Sequence, residues 1–270
     1  MDNKKYTSLL KYMKDLGSIV VAFSGGVDST FVLKAAKEAL GDKVAAVTIV
    51  SPYIPKWEIR EAKELAKEIG IRHEFLEIPT IIDEIRFNPK DRCYLCKTAV
   101  FSMVKNFAHD NGFKYVVDGT NADDVNEYRP GLRALKELGI KSPLLENGLA
   151  KNEIRELSKE LDLPTWDKPS YACLLSRIPY GTELREEDFE KIEKSERFMM
   201  DNGFRAVRVR CHGDLARIEV PKENMEELFA LDLMDKISTK FKEYGFKYVS
   251  LDMQGYTTGS LNISIEGMES

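Results

Sequence analysis

The chain has 270 residues, 43% of them hydrophobic and 31% charged with both signs interspersed, and a formal net charge of −5. This balance excludes general disorder and fits a soluble globular protein with one large domain and a smaller second one. The mild acidity argues against a nucleic-acid partner, whose footprint needs at least a local basic excess. No segment reaches membrane-spanning length and the N-terminal stretch lacks a small-residue cleavage site, so no membrane partner is expected. A cytoplasmic location is expected, where the four cysteines read as thiols, metal ligands or catalysts rather than disulfides.

In chain order, the spacing of apolar residues predicts an amphipathic helix over 5–16 and a strand over 18–23 buried on both faces. A glycine turn follows, then a helix from about 28 to 40 closed by Gly41, and a buried strand over 44–50. KWEIREAKELAKEIG (56–70) predicts a helix, RHEFLEI (72–78) a strand, TAVFSMVKNFAHDNG (98–112) a helix and KYVVDGT (114–120) a strand. Such alternation predicts an α/β fold with a doubly wound, mostly parallel, Rossmann-like sheet and ligands at the carboxyl ends of its strands. One more helix is expected within 142–170, and the proline-containing tail of that stretch ends the alternation. The domain boundary is expected between about 165 and 185, which divides the chain into 1–175 and a smaller α/β domain, 176–270, for substrate binding or oligomerisation. That domain is expected to hold a helix over 186–202, strands near 205–211 and 215–220, a helix over 222–242 and a strand over 246–251.

VVAFSGGVDST (20–30) sets Gly25 and Gly26 behind a buried strand, with Ser24, Asp28, Ser29 and Thr30 leading into a helix. Backbone N–H groups and hydroxyls gathered at a positive helix N-terminus bind anions. The lysine-bearing phosphate loop G-x-x-x-x-G-K-[ST] is absent, and so is G-x-G-x-x-G. At the end of a later strand, VVDGTNADD (116–124) offers Asp118, Asn121, Asp123 and Asp124, hard oxygen donors of the kind that orient magnesium beside phosphates.

Three cysteines form a further set. DRCYLCK places Cys93 and Cys96 in a C-x-x-C spacing, and Cys173 follows far along the chain. The fourth, Cys211, shares a strand face with Val207 and Val209 and reads as a small apolar core residue, while Arg208, Arg210 and His212 share the opposite face. Three thiolates fit a closed zinc site poorly and suit a [4Fe–4S] cluster with one iron open; zinc completed by another ligand, or a redox dithiol with a separate nucleophile, are the alternatives.

The SGGVDS stretch resembles the pyrophosphate loop of the PP-loop ATP pyrophosphatases. With VTIVSPYIP, VVDGTNADD followed by YRPG, KPSYACLLSRIPYG and VRVRCHGDLARIEV, the chain resembles one family within that group, the LarE ATP-dependent sulfur transferases, over residues 20–220. The resemblance implies adenylation of the carboxylates of pyridinium-3,5-biscarboxylic acid mononucleotide. Sulfur then replaces AMP, as a step in making the nickel-pincer nucleotide of lactate racemase.

The resemblance further implies ATP and Mg2+ bound by Ser24, Gly25, Gly26, Asp28, Ser29, Thr30, Thr48, Gly119 and Asp123, with Asp28 and Cys173 as the catalytic positions. It implies substrate contacts from Arg177, Glu196, Arg208 and Arg210, a sulfide source as partner, and a homo-oligomer. Arg217 and Asp252 are weaker candidates. Members of the family either sacrifice the sulfur of the cysteine at the position of Cys173 or hold a cluster on three cysteines. Cys93, Cys96 and Cys173 together favour the cluster, with Cys173 a ligand. A cluster-dependent tRNA thiolation enzyme, an amide-forming ligase of NAD or GMP synthetase type, and a non-enzymatic zinc-holding nucleotide sensor are the rival readings.

Overall fold

A computed structural model describes residues 4–126 and 130–257. Tyr128 and Arg129 of the YRPG stretch lie outside them. The described chain forms two compact units: one runs to Ile85 and resumes over Asp91–Tyr171, and the other takes Arg86–Lys90 and the chain from Ala172 onward.

The first unit runs α1 (Lys4–Leu16), β1 (Ile19–Ala22), α2 (Val27–Leu40), β2 (Val44–Val50), α3 (Lys56–Ile69), β3 (Arg72–Glu77), α4 (Arg92–Asp110), β4 (Tyr115–Val117), α5 (Gly131–Glu137), α6 (Pro143–Glu146) and α7 (Lys151–Glu160). Its four strands pair in the order β3-β2-β1-β4, all parallel. Alternation along β1 explains why both sheet faces are dry. Ile19, Val21 and Phe23 pack with Leu9 and Met13 of α1, Phe31 of α2, Ala62 of α3 and Leu157 of α7. Val20 points the other way and packs with Val47, Val116, Phe101 and Val104 of α4, and Leu135 of α5. A core of this kind requires helices on both faces, which is the expected doubly wound arrangement.

Two elements of this unit differ from expectation. α4 begins at Arg92, earlier than the apolar spacing indicates, so Cys93 and Cys96 ride on a helix. Its first turns carry Arg92, Cys93, Tyr94 and Lys97, which give no apolar period, while a buried Arg92 side chain anchors the start. The single helix expected within 142–170 is two, α6 and α7, separated where Gly148 takes φ +64.

The second unit runs α8 (Glu186–Asp201), β5 (Arg208–His212), β6 (Leu215–Glu219), α9 (Leu231–Glu243) and β7 (Tyr248–Leu251). β5 and β6 are antiparallel and β6 and β7 parallel, in the order β5-β6-β7. The helix expected over 222–242 is broken into 3-10 turns at Lys222–Asn224 and Glu226–Phe229 before α9, because Ala230 is extended (φ −65, ψ 118). The stretch Arg86–Lys90 belongs to this unit through Asn88, a fully buried side chain whose amide donates to the carbonyls of Ile178 (2.8 Å) and Pro179 (3.0 Å). Leu184 N–H also donates to Arg86 O at 2.8 Å. No break in sequence pattern marks that excursion, since its bonds are to residues about ninety positions away.

Candidate functional site

The first assembly lies in the first unit, where β1 runs out. Thr48 Oγ1 donates to Phe23 O at 2.6 Å, so the hydroxyl's only proton is committed. The 2.8 Å contact between Thr48 and His73 must then be a bond donated by His73 Nε2. Burial pushes the His73 imidazole down to about 4, with Lys63 acting the same way and Glu74 opposing. Thr48 therefore holds the end of β1 from beneath, and its side chain is only 4% exposed.

Beyond Phe23 the chain turns through Gly25 at φ +69, and a Cβ there would stand 3.1 Å from the Ala62 Cα on α3. Both backbone conformation and close packing demand glycine. Gly26 caps α2 without any side-chain cap bond, so the first N–H groups of that helix keep their donor capacity for an anion. Ser24 and Ser29 hydroxyls share a 3.1 Å bond across the turn, and Gly26 N–H donates to Ser24 Oγ at 3.3 Å. Thr30 differs from its expected role. It is fully buried in the wall of a cavity of about 160 Å3 with Lys34, Leu65 and Leu163, and its hydroxyl has no hydrogen-bond partner among the described residues. The hydroxyl is thus withdrawn from the cradle.

Gly119 carries the second motif against the first. A Cβ on it would meet Ser29 N at 3.0 Å and Asp28 Cβ at 3.2 Å, so the two loops touch through backbone. Lys151, at the start of α7, reaches Asp28 Oδ2 at 2.5 Å, while its own backbone N–H donates to Asp123 Oδ2 at 2.8 Å. Asp28 Oδ1 is buried and unpartnered among the described residues. Sequence reasoning passed over Lys151. Its signal is a cation in the first turn of a helix, where the macrodipole disfavours one unless a nearby anion compensates.

The other acids of the second motif are turned to structural work. Asp118 accepts bonds from Thr120 and, at 2.7 Å, from Ser142. Burial raises its carboxyl above the ordinary range, against those donors and the nearby Lys97 charge. Asp124 accepts the Asn121 N–H at 2.9 Å, and Asn121 accepts that of Asp123 at 2.9 Å. Among the described residues no three His, Cys, Asp or Glu side chains stand together as a preformed metal site.

All four cysteines are free thiols. Cys93 is exposed and Cys96 half-buried, three apart on α4 and therefore on one helix face, with Cys96 Sγ 3.8 Å from Tyr53 Oη. Cys211 is 3% exposed, and burial, with Asp188 nearby, pushes its thiol up to about 12, which suits a core residue.

The second assembly lies in the second unit. Cys173 precedes a 3-10 turn, Leu174–Arg177, and Arg177 folds back so that Nη1 donates to Ala172 O (2.6 Å) and Cys173 O (3.1 Å). Its Nε and Nη2 grip both oxygens of Glu196 at 2.9 Å each, and Glu196 also accepts the Val209 N–H of β5. Burial would raise the Glu196 carboxyl, but Arg177, Arg208 and the Val209 N–H outweigh it and hold it below the ordinary range.

On β5 and β6, Arg210 grips Glu219 at 2.9 and 2.7 Å and donates to Ser176 O at 2.6 Å. Arg217 adds a 3.0 Å bond to Glu219 and a 3.3 Å ion pair to Asp252. Arg208 donates to Val207 O and lies 5.0 Å from the centroid of the Tyr256 ring. Arg208 and Arg210 do not lie on a solvent face, being 4% and 5% exposed; His212 of the same face is exposed. Among the described residues of this unit, three buried arginines (177, 208, 210) face two buried glutamates (196, 219), an excess of one positive charge.

Residues 3–177 match the NAD synthase family model. An uncharacterized protein of Synechocystis is 39% identical over 263 residues, covering 97% of this chain and 98% of that protein. The pyridinium-3,5-bisthiocarboxylic acid mononucleotide synthase of Lactiplantibacillus plantarum is 37% identical over 260 residues, covering 96% and 94%. The NH(3)-dependent NAD(+) synthetase of Pyrococcus horikoshii is 27% identical over 168 residues, covering 60% and 64%.

Proposed function

The chain belongs to the LarE family of PP-loop ATP-dependent sulfur transferases, and on that premise we propose that it converts the two carboxylates of pyridinium-3,5-biscarboxylic acid mononucleotide into thiocarboxylates, in nickel-pincer nucleotide synthesis. The observation that carries this reading is the span of the match. The NAD synthase model stops at residue 177, whereas the match to the bisthiocarboxylate synthase takes in 96% of the chain and so extends through the arginine-bearing second unit.

A substrate carboxylate oxygen attacks the α-phosphorus of ATP, the α–β phosphoanhydride bond breaks, and pyrophosphate leaves. The uncapped N-terminus of α2 with Ser24 and Gly26 receives the departing anion. Lys151, bonded to Asp28, supplies the cation that follows the phosphates. Asp28 Oδ1, the open buried carboxylate oxygen at the cradle, fits a hard cation and would hold Mg2+ together with phosphate oxygens. Sulfur then adds to the acyl carbon, AMP leaves, and a second round treats the other carboxylate. Arg208 and Arg210, buried guanidinium groups on one face of β5, are the residues of this reading that hold the anionic substrate.

For sulfur delivery we assign Cys93, Cys96 and Cys173 as ligands of a [4Fe–4S] cluster. The chemistry of the donors supports this: none of the three is in a disulfide, and Cys93 and Cys96 share one face of α4. Bound there, the cluster would supply an open iron able to carry the transferable sulfur. Arg177, bonded to the carbonyls of Ala172 and Cys173, fixes the backbone from which Cys173 projects. A homo-oligomer belongs to the same reading, and Phe229, Leu231 and Met234, exposed at 59%, 77% and 46%, are the apolar surface it would cover. No helix among the described residues is long and apolar enough to cross a membrane.

The test is anaerobic incubation of the pyridinium mononucleotide with protein, ATP, Mg2+ and sulfide, followed by mass spectrometry. Several sulfur transfers per chain are expected. One transfer per chain with dehydroalanine at Cys173 would replace the cluster by sacrifice of that cysteine, and no transfer with ATP intact would overturn the function.

A further inference from the structure

Lys168 stands apart from the residues used so far. Its ammonium donates to the carbonyl of Gly25 at 2.9 Å and to Glu61 Oε2 of α3 at 2.8 Å, and lies 5.8 Å from the centroid of the buried Trp57 ring. Only 14% of its side chain is exposed. The backbone that carries it is itself fixed: Arg155 of α7 donates to Trp166 O at 2.6 Å and to Lys168 O at 2.8 Å, and Tyr171 packs edge-on against Trp57 at 5.0 Å. A lysine built into place this firmly, directed at a backbone carbonyl of a ligand loop, does more than fill a surface.

We propose that Lys168 is a positioning residue for the pyrophosphate cradle, setting the orientation of the Gly25–Gly26 peptide. A trans peptide points its C=O and its N–H in opposite directions. With the Gly25 carbonyl drawn outward by Lys168, the Gly26 N–H is turned to the other side, where it meets Ser24 Oγ at 3.3 Å. That long bond is readily exchanged for an anionic oxygen. Gly25, at φ +69, lacks the Cβ that would restrict this peptide, so rotation of the 25–26 plane has little intrinsic resistance. Lys168 supplies the restraint from outside, and Glu61 compensates its charge at the same atom. Lys168 thus acts on the phosphate-binding donor and not on the nucleoside portion of the ligand.

The inference rests on the ATP cradle proposed above, and its test separates the two. Affinities of the full chain for pyrophosphate and for AMP are measured by calorimetry in wild type, Lys168→Met and Lys168→Arg. Lys168→Met is expected to weaken pyrophosphate about tenfold, the order of one misdirected charge-assisted hydrogen bond, and to leave AMP within about twofold. Lys168→Arg, which keeps a cationic donor, is expected to recover most of the loss. Unchanged pyrophosphate affinity in Lys168→Met, an equal loss for AMP, or no recovery in Lys168→Arg would each overturn the positioning role. A wild-type protein that binds neither ligand would instead overturn the cradle itself.

Discussion

Replacing Glu196 with alanine removes an acceptor used from three directions. Its carboxylate is 2% exposed, takes two bonds from Arg177 at 2.9 Å each, and takes the Val209 N–H at 2.9 Å. The substitution strands a guanidinium that is 1% exposed beside the buried Arg208, and leaves an edge-strand N–H without its bond. Breaking a buried ion pair from one side costs about 3–5 kcal/mol, and the orphaned N–H falls within the same loss because the groups share one acceptor. Urea unfolding followed by circular dichroism reads the total, and hydrogen exchange at Val209 locates it. The sign with pH follows from the depressed carboxyl: its contribution is fully present above the ordinary carboxylate range and fades as pH falls through the lower folded-state value. A loss below about 1 kcal/mol, with Val209 protection intact, would refute the reasoning. If Glu196 instead served substrate alone, stability would hold while the KM for the pyridinium mononucleotide rose.

Other outcomes follow from the same geometry. Anaerobic reconstitution should give about four irons per chain, lost on serine substitution of Cys93, Cys96 or Cys173 but kept in Cys211→Ser; equal loss in all four would contradict the core assignment of Cys211. Lys151→Met should slow cleavage of the α–β phosphoanhydride bond by about two orders of magnitude, as loss of one charge-stabilising donor does, and a change under threefold would exclude Lys151 from the phosphate site. His73 has its folded-state value depressed from 6.5 to about 4. Wild type should therefore lose on the order of 1 kcal/mol relative to His73→Gln as pH falls from about 6.5 toward 4, solvent screening of the half-buried ring having trimmed the effect. Parallel pH profiles in thermal unfolding would show that the ring is not held neutral by the fold.

Much of the first unit was readable because its information is local. The β-branched run at 18–23, the glycine turn and the helix behind it are each written within a few residues, and the observed β1 and α2 fall within that pattern. The pairing of Gly119 with Asp28 and Ser29 was only half readable. Sequence marks both loops as candidates, but that a missing Cβ lets them touch depends on a contact across ninety positions. Thr30 shows the converse limit. A hydroxyl in the first turn of a phosphate-binding helix looks like a ligand, yet helical rotation of about 100° per residue carries position 30 into the layer between helices.

The second unit was harder to read because burial of charge inverts the usual inference. Arg208 and Arg210 alternate with valines, a pattern that ordinarily means one dry face and one wet face, and here both faces are dry. The legible trace lies on α8. Phe189, Ile192, Glu196 and Met199 follow one buried helical stripe, so a glutamate occupies a position that its neighbours define as core. A carboxylate there requires a buried cation to compensate it. Arg177 supplies that cation, whereas Glu219, at the end of β6, does the same for Arg210. Arg208, the third buried arginine, lies in the field of the same Glu196 carboxylate, which opposes the burial and the Arg177 charge that pull its guanidinium below its ordinary value. Each buried charge of this unit is therefore legible from a partner far along the chain and not from the alternation of its own strand.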